Sequence, residues 1–172
     1  MTFLRILPAR WLNLGAFLLC AALLGYAYYL EHYVDLEPCP LCIFQRVGMS
    51  ALGIVFLIAG LHNAGRIGSR IYAVLIAITA LVGASIAGRH VWLQHLPAGQ
   101  VPDCGADLEY LFEILPLTEV LKIVFTRSGE CAEVIWTFLG LSMPGWVLIW
   151  FVALGTLGLL KNWIGDRPAE RL

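Results

Sequence analysis

"EPCPLCIFQRVGMSALGIVFLIAGL", residues 37–61, opens on a cysteine pair and ends in an apolar run. Cys39 and Cys42 bracket a Pro-Leu dipeptide, Arg46 follows, and positions 47–61 carry neither charge nor histidine. A helix that crosses a bilayer needs ~20 apolar residues at about 1.5 Å rise each. This segment reaches that length from Leu41 if Arg46 is tolerated inside it.

Working outward, residues 11–30, 71–88 and 134–160 also lack charge and histidine. The first is long enough to span outright. The second becomes so if Arg89 and His90 lie at its end. The third is too long for one plain span. Ser142 suits a helix cap and Pro144 a first helical turn, which divides it. The expected spans are therefore 11–30, 41–61, 71–90 and 144–163, within a single membrane domain over 1–172. The first is read as a retained helix. It is longer than the ~7–15-residue apolar region of a signal peptide, and no small-x-small cleavage site follows it.

Composition agrees. Of 172 residues, 60% are hydrophobic and 13% charged, with mean hydropathy +0.81. Soluble domains are about half apolar and a quarter charged. The expected fold class is an all-α membrane protein, a bundle of transmembrane helices in a lipid bilayer. A net charge of −1 gives no reason to expect nucleic acid as a partner.

Basic residues in short loops mark the cytoplasmic side. Arg5, Arg10, Arg66, Arg70, Lys161, Arg167 and Arg171 all flank one end of the expected spans. The other end carries Glu31, Asp35 and Glu37 in one loop. A longer loop at about 94–143 holds seven acids against Lys122 and Arg127. Both termini, about 1–10 and 164–172, are thus expected in the cytoplasm together with loop 62–70. The acidic loops 31–40 and 94–143 are expected outside.

That topology sorts the cysteines. Cys39, Cys42, Cys104 and Cys131 fall on the outer face, and Cys20 falls within a span. In a bacterium the outer face of the inner membrane is the periplasm, which is oxidising. Pro40 fits the first helical position, so Cys39 stands near the N-cap and Cys42 in the first turn. The helix dipole favours thiolate there. Arg46 shares a helix face with Cys42 and would stabilise its thiolate. It could also hydrogen-bond a carbonyl oxygen that gains charge on reduction. An interfacial snorkelling arginine is the plainer alternative.

A static disulfide across so small a loop removes little chain entropy, so the pair suits redox exchange better than stapling. Zinc is a poorer reading, because Cys104 and Cys131 do not form a second close pair. "VPDCGAD" and "RSGECAE" place these two in turn-rich, exposed contexts, where a plain structural disulfide is the alternative. Between them "LEYLFEILPLTEVLKIVF" reads as a short amphipathic helix on the membrane surface, interrupted by Pro116. Cys20 reads as a packing residue. His90 could hydrogen-bond a ligand carbonyl or pass protons, or simply anchor the interface beside Trp92. His32 and His95 read as solvated.

"CPLCIFQR", the two loop cysteines, the four spans and "GLSMPGW" together resemble the DsbB family of disulfide bond formation proteins. The resemblance covers nearly the whole chain. It implies an inner-membrane oxidoreductase that reoxidises a DsbA-like periplasmic thiol oxidase and passes the electrons to a membrane quinone, ubiquinone or menaquinone. It implies the disulfides Cys39–Cys42 near the quinone and Cys104–Cys131 near the partner, with Cys104 forming the mixed disulfide. Arg46 and His90 match quinone-site positions, and no metal is implied. Gln45 stands where an acid is expected, a departure read as minor. The interloop disulfide is expected between Cys104 and Cys39 or Cys42. A DsbA-type disulfide lies at about −120 mV, so ordinary protein disulfides, often below ~−300 mV, cannot reoxidise it and a quinone sink is needed. A vitamin K epoxide reductase-like enzyme and a non-enzymatic membrane protein with structural disulfides are the alternatives.

Overall fold

The computed structural model describes residues 8–36, 38–97, 113, 115–126, 129–134 and 136–164. Helix α1 is Ala9–Tyr33, α2 is Pro40–His62, α3 is Arg66–Gln94, α4 is Leu117–Thr126 and α5 is Met143–Ile164. α1, α2, α3 and α5 are long and apolar enough to cross a membrane. Cys104, Arg5, Arg167 and Arg171 lie outside the described residues.

The long helices run past the apolar stretches that announce them. α3 starts at Arg66 and continues through Arg89 and His90 to Gln94. Charge marks where a span leaves the bilayer, but it does not end a helix. Backbone signals do. Asn63, at φ 43°, closes α2 in the left-handed conformation that short polar side chains tolerate.

α3 packs closely along α5 because small residues let the backbones approach. The Phe151 ring lies on Gly83, where a Cβ would stand 2.3 Å from Phe151 Cε1. Gly155 faces Ala80, and Gly158 faces Phe56 and Ile76. The central core is Ala16, Cys20, Leu52, Phe56, Ile76 and Phe151. Cys20 is therefore the packing residue expected, set against Gly53 of α2. At the end of the bundle where α1 begins, Asn13 and Asn162 exchange two hydrogen bonds of 3.0 Å. Asn162 Nδ2 also donates to Gly158 O at 2.8 Å. Each buried amide so finds partners within the apolar bundle.

The other end holds a second core of Leu41, Leu93, Val120, Val124 and Cys131. Here α4 turns Val120 and Val124 inward against α2 and α3. The expected amphipathic helix is present after Pro116, and its buried stripe seats it on the bundle's end. Cys131 differs from expectation. It lies in a 3-10 turn, Gly129–Ala132, and is 1% exposed rather than in an open turn. Apolar neighbours on either side of the loop outweigh the local Ser-Gly signal. Ser142 ends a small antiparallel hairpin, Thr137–Phe138 with Leu141–Ser142, directly before α5. Its two-residue turn has both φ values positive, 52° at Leu139 and 78° at Gly140, as a tight primed turn requires.

Candidate active site

The cysteine end of the bundle holds a cavity of about 430 Å³. Binding cavities for small molecules commonly measure ~300–1,000 Å³. α2 supplies Cys39, Cys42, Gln45, Arg46 and Met49 to its wall, on successive turns of one face. α3 adds His90, and the loop adds Cys131. The hairpin and α5 contribute Trp136, Phe138, Trp146 and Trp150. The lining thus combines a polar, sulfur-bearing part with an aromatic part.

Cys39 is the N-cap of α2, with Pro40 at the first helical position, as the sequence suggests. The N–H groups of Cys42 and Ile43 donate to Cys39 O at 2.9 and 3.2 Å, which fixes the cysteine turn. Cys39 Sγ lies 3.3 Å from Cys42 Sγ and 3.8 Å from His90 Nε2. Cys131 also hydrogen-bonds Cys39. Hydrogen bonds from Cys131 and Cys42 and, against opposing burial, from His90 hold the Cys39 thiol well below the ordinary thiol range.

That convergence adds to the expectation. The sequence places both cysteines at the positive end of the helix, with Arg46 as further support for Cys42 one turn away. In the structure the sulfur that gathers hydrogen-bond partners is Cys39. The helix dipole acts on both cysteines, and Cys39, at the cap, has His90 of α3 and Cys131 of the loop as hydrogen-bond partners.

Arg46 does line the cavity, and its guanidinium is anchored from α1. Nη1 pairs with Glu31, Nη2 donates to Ala27 O at 3.2 Å, and the group sits 5.0 Å from the Tyr28 ring centroid. Placing a charge within a span is costly, and an ion pair plus a carbonyl acceptor offsets that cost. Sequence reasoning saw Glu31 only as part of an acidic loop. Nothing in its spacing from Arg46 connects the two, because they meet across helices.

His90 is 3% exposed, and its ring bridges Gln45 and Cys39. Gln45 is 4% exposed, with its Nε2 3.0 Å from His90 Nδ1. Helical phase could have flagged Gln45, since it shares the buried face of Leu41 and Met49. His32 and His95 are exposed, and their Nδ1 atoms donate to carbonyls one turn back, Tyr28 O at 3.1 Å and Val91 O at 2.8 Å. His62 contacts Tyr72 at the opposite end.

Ligand atoms of Cys39, Cys42 and His90 lie within 4.8 Å of one another, so among the described residues this trio has the chemistry to approach a thiophilic cation. It also has the chemistry of thiol–disulfide exchange, which needs a thiolate and a second sulfur within reach.

Comparison with known proteins agrees with that chemistry. The family model for "Disulfide bond formation protein DsbB" matches residues 9–160. A Disulfide bond formation protein B from Methylococcus capsulatus is 52% identical over 159 residues, covering 92% of this chain and 97% of that protein. One from Nitrosococcus oceani is 52% identical over 153 residues, covering 89% and 90%. One from Acinetobacter baumannii is 54% identical over 140 residues, covering 80% and 82%.

Proposed function

The chain belongs to the DsbB family of disulfide bond formation proteins, and from that premise we propose that it reoxidises a DsbA-like periplasmic thiol oxidase and delivers the electrons to a membrane quinone. The observation that carries the reading is the meeting of Cys39 with both Cys42 and Cys131 on the wall of an aromatic-lined cavity.

The cysteine end faces the periplasm in this reading, and the end bearing Arg66, Arg70 and Lys161 faces the cytoplasm with both termini. A thiolate of the reduced partner attacks the Cys104–Cys131 disulfide, with Cys104 as the sulfur attacked. The partner's second thiol then closes its own disulfide. Two electrons and two protons have reached the loop cysteines.

Cys131, buried beside Cys39, next attacks the Cys39–Cys42 disulfide at Cys39, and Cys42 leaves as thiolate. Cys104 attacks Cys131 and displaces Cys39. The loop disulfide is restored and Cys39–Cys42 is now the dithiol. The sequence suggested an interloop bond through Cys104; this route runs through Cys131 because, among the described residues, Cys131 is the loop sulfur beside Cys39.

The cavity suits a quinone head group: its aromatic lining accepts a flat apolar ring, Arg46 and Cys42 offer donors to ring oxygens, and His90 stands on the same lining beside Cys39. A bound quinone supplies a two-electron, two-proton acceptor as Cys39 and Cys42 reclose. Arg46, held by Glu31 and Ala27, presents a fixed positive group to the oxygen that gains charge. α4 packs Val120 and Val124 into the same apolar cluster as Cys131 and Cys39.

Purified protein mixed with reduced DsbA-like protein and ubiquinone or menaquinone should consume one quinone per disulfide formed, followed by quinone absorbance. A chain whose cysteines stay oxidised and which consumes no quinone would instead be a membrane protein with structural disulfides.

A further inference from the structure

We propose that Gln45 is a positioning residue that fixes the tautomer of His90, so that His90 Nε2 donates a hydrogen bond to Cys39. The reading of Cys39 as a redox cysteine is taken from the function proposed above.

A neutral imidazole has one N–H and one acceptor nitrogen, and the partner of each ring nitrogen decides which is which. Gln45 presents an amide N–H to His90 Nδ1 at 3.0 Å. Nδ1 must then accept, which leaves the ring proton on Nε2. Nε2 is the nitrogen that faces Cys39 Sγ, at 3.8 Å. The chain Gln45 to His90 to Cys39 is thus a directed series of hydrogen bonds, each donating toward the sulfur. It favours the thiolate of Cys39 over the thiol.

Burial makes the arrangement matter. Gln45 and His90 are both almost fully enclosed, so neither can trade its partner for water without cost. The glutamine also explains why a neutral amide serves here. A carboxylate at this position would accept from Nδ1, pulling the ring proton away from the sulfur or charging the whole ring. The same logic bears on the cation reading of the Cys39, Cys42 and His90 trio. A metal-ligating histidine donates its other N–H to an acceptor and turns a bare nitrogen to the metal. Here the donor faces Nδ1, and the nitrogen beside the sulfur is the protonated one.

The groups that face Cys39 and His90 are Cys42 from α2 and Cys131 from the loop, with Arg46 on the same cavity wall. The partner that Nδ1 meets is Gln45 Nε2, at 3.0 Å. The tautomer therefore rests on the glutamine.

The test is nitrogen NMR of the His90 ring in the ¹⁵N-labelled, reduced full-length protein in detergent micelles at neutral pH. Nε2 should be protonated and Nδ1 unprotonated. Gln45→Leu should release Nδ1 and yield mixed tautomers, with Cys39 alkylation at the same pH slowed roughly tenfold. Gln45→Glu keeps the site polar should the leucine variant fail to fold. It should place a proton on Nδ1. A wild-type ring protonated at Nδ1 overturns the proposal. So does a Gln45→Leu or Gln45→Glu protein whose ring spectrum matches wild type. Neither readout uses the partner or a quinone, so failure here is separable from failure of the function itself.

Discussion

Arg46 of α2 is ion-paired with Glu31 of α1, so the charge inside the span is held from the neighbouring helix. The pair is only partly exposed, with the Arg46 side chain 16% and the Glu31 side chain 28% accessible. The guanidinium is thereby aimed and its mobility reduced before any ligand arrives.

If that aim serves quinone reduction, Arg46→Ala should slow the quinone half-reaction by about 10²-fold, the scale seen when one donor to a developing oxyanion is removed. The loop disulfide should still form. Glu31→Gln should have a smaller effect, expressed mainly as a raised KM for quinone, because the guanidinium remains but is less well placed. Stopped-flow absorbance of the quinone measures both. Unchanged kinetics in Arg46→Ala removes Arg46 from the mechanism.

Cys39 should react as a thiolate under mildly acidic conditions. Its pKa is lowered by Cys131, Cys42 and His90, so protonation sets in only well below the ordinary ~8.5 of a free thiol. Alkylation of Cys39 in the reduced protein should stay nearly flat between pH 8 and 6. A denatured control should lose about tenfold per pH unit over the same range. Cys131→Ala, which removes the foremost cause, should steepen the native profile toward the control. Mass spectrometry of the alkylated peptide reads out each point.

The contact between Cys131 and Cys39 should be convertible into a covalent bond. In a Cys42→Ser, Cys104→Ser protein, mild oxidation should give a Cys39–Cys131 disulfide as the main product, seen by non-reducing peptide mapping. A protein that stays reduced at both positions would sink the assignment of Cys131 as the loop sulfur that reaches the helix pair.

Gly83→Ala should destabilise the bundle by roughly 1–3 kcal/mol, as overpacking does in close-packed cores. A Cβ there would fall 2.3 Å from the Phe151 ring, which is itself fully buried. Gly83→Ala combined with Phe151→Leu should recover part of the loss, since the clash is pairwise. Thermal unfolding in detergent gives the ordering.

The amide pair far from the site should matter less than its burial suggests. Asn13→Leu should cost about 0.6 kcal/mol and at most ~1.7, the range measured for hydrogen bonds between membrane helices. It leaves Asn162 with its bond to Gly158 O. Denaturation monitored by helix content checks this.

Sequence alone determined that this chain is a bundle of membrane helices with a cysteine pair at the start of one of them. Apolar length is a local property, and so is the Pro40 signal that sets Cys39 at the cap. The placement of Cys104 lies outside the described residues. The tertiary structure decided the rest of the site. Glu31 meets Arg46, Gln45 meets His90, and Cys131 is drawn from an apparently open turn into a buried core beside Cys39. No sequence spacing encodes those meetings, because each joins residues on different elements. They depend on how α1, α2, α3 and the loop pack, and on apolar burial overriding local turn signals.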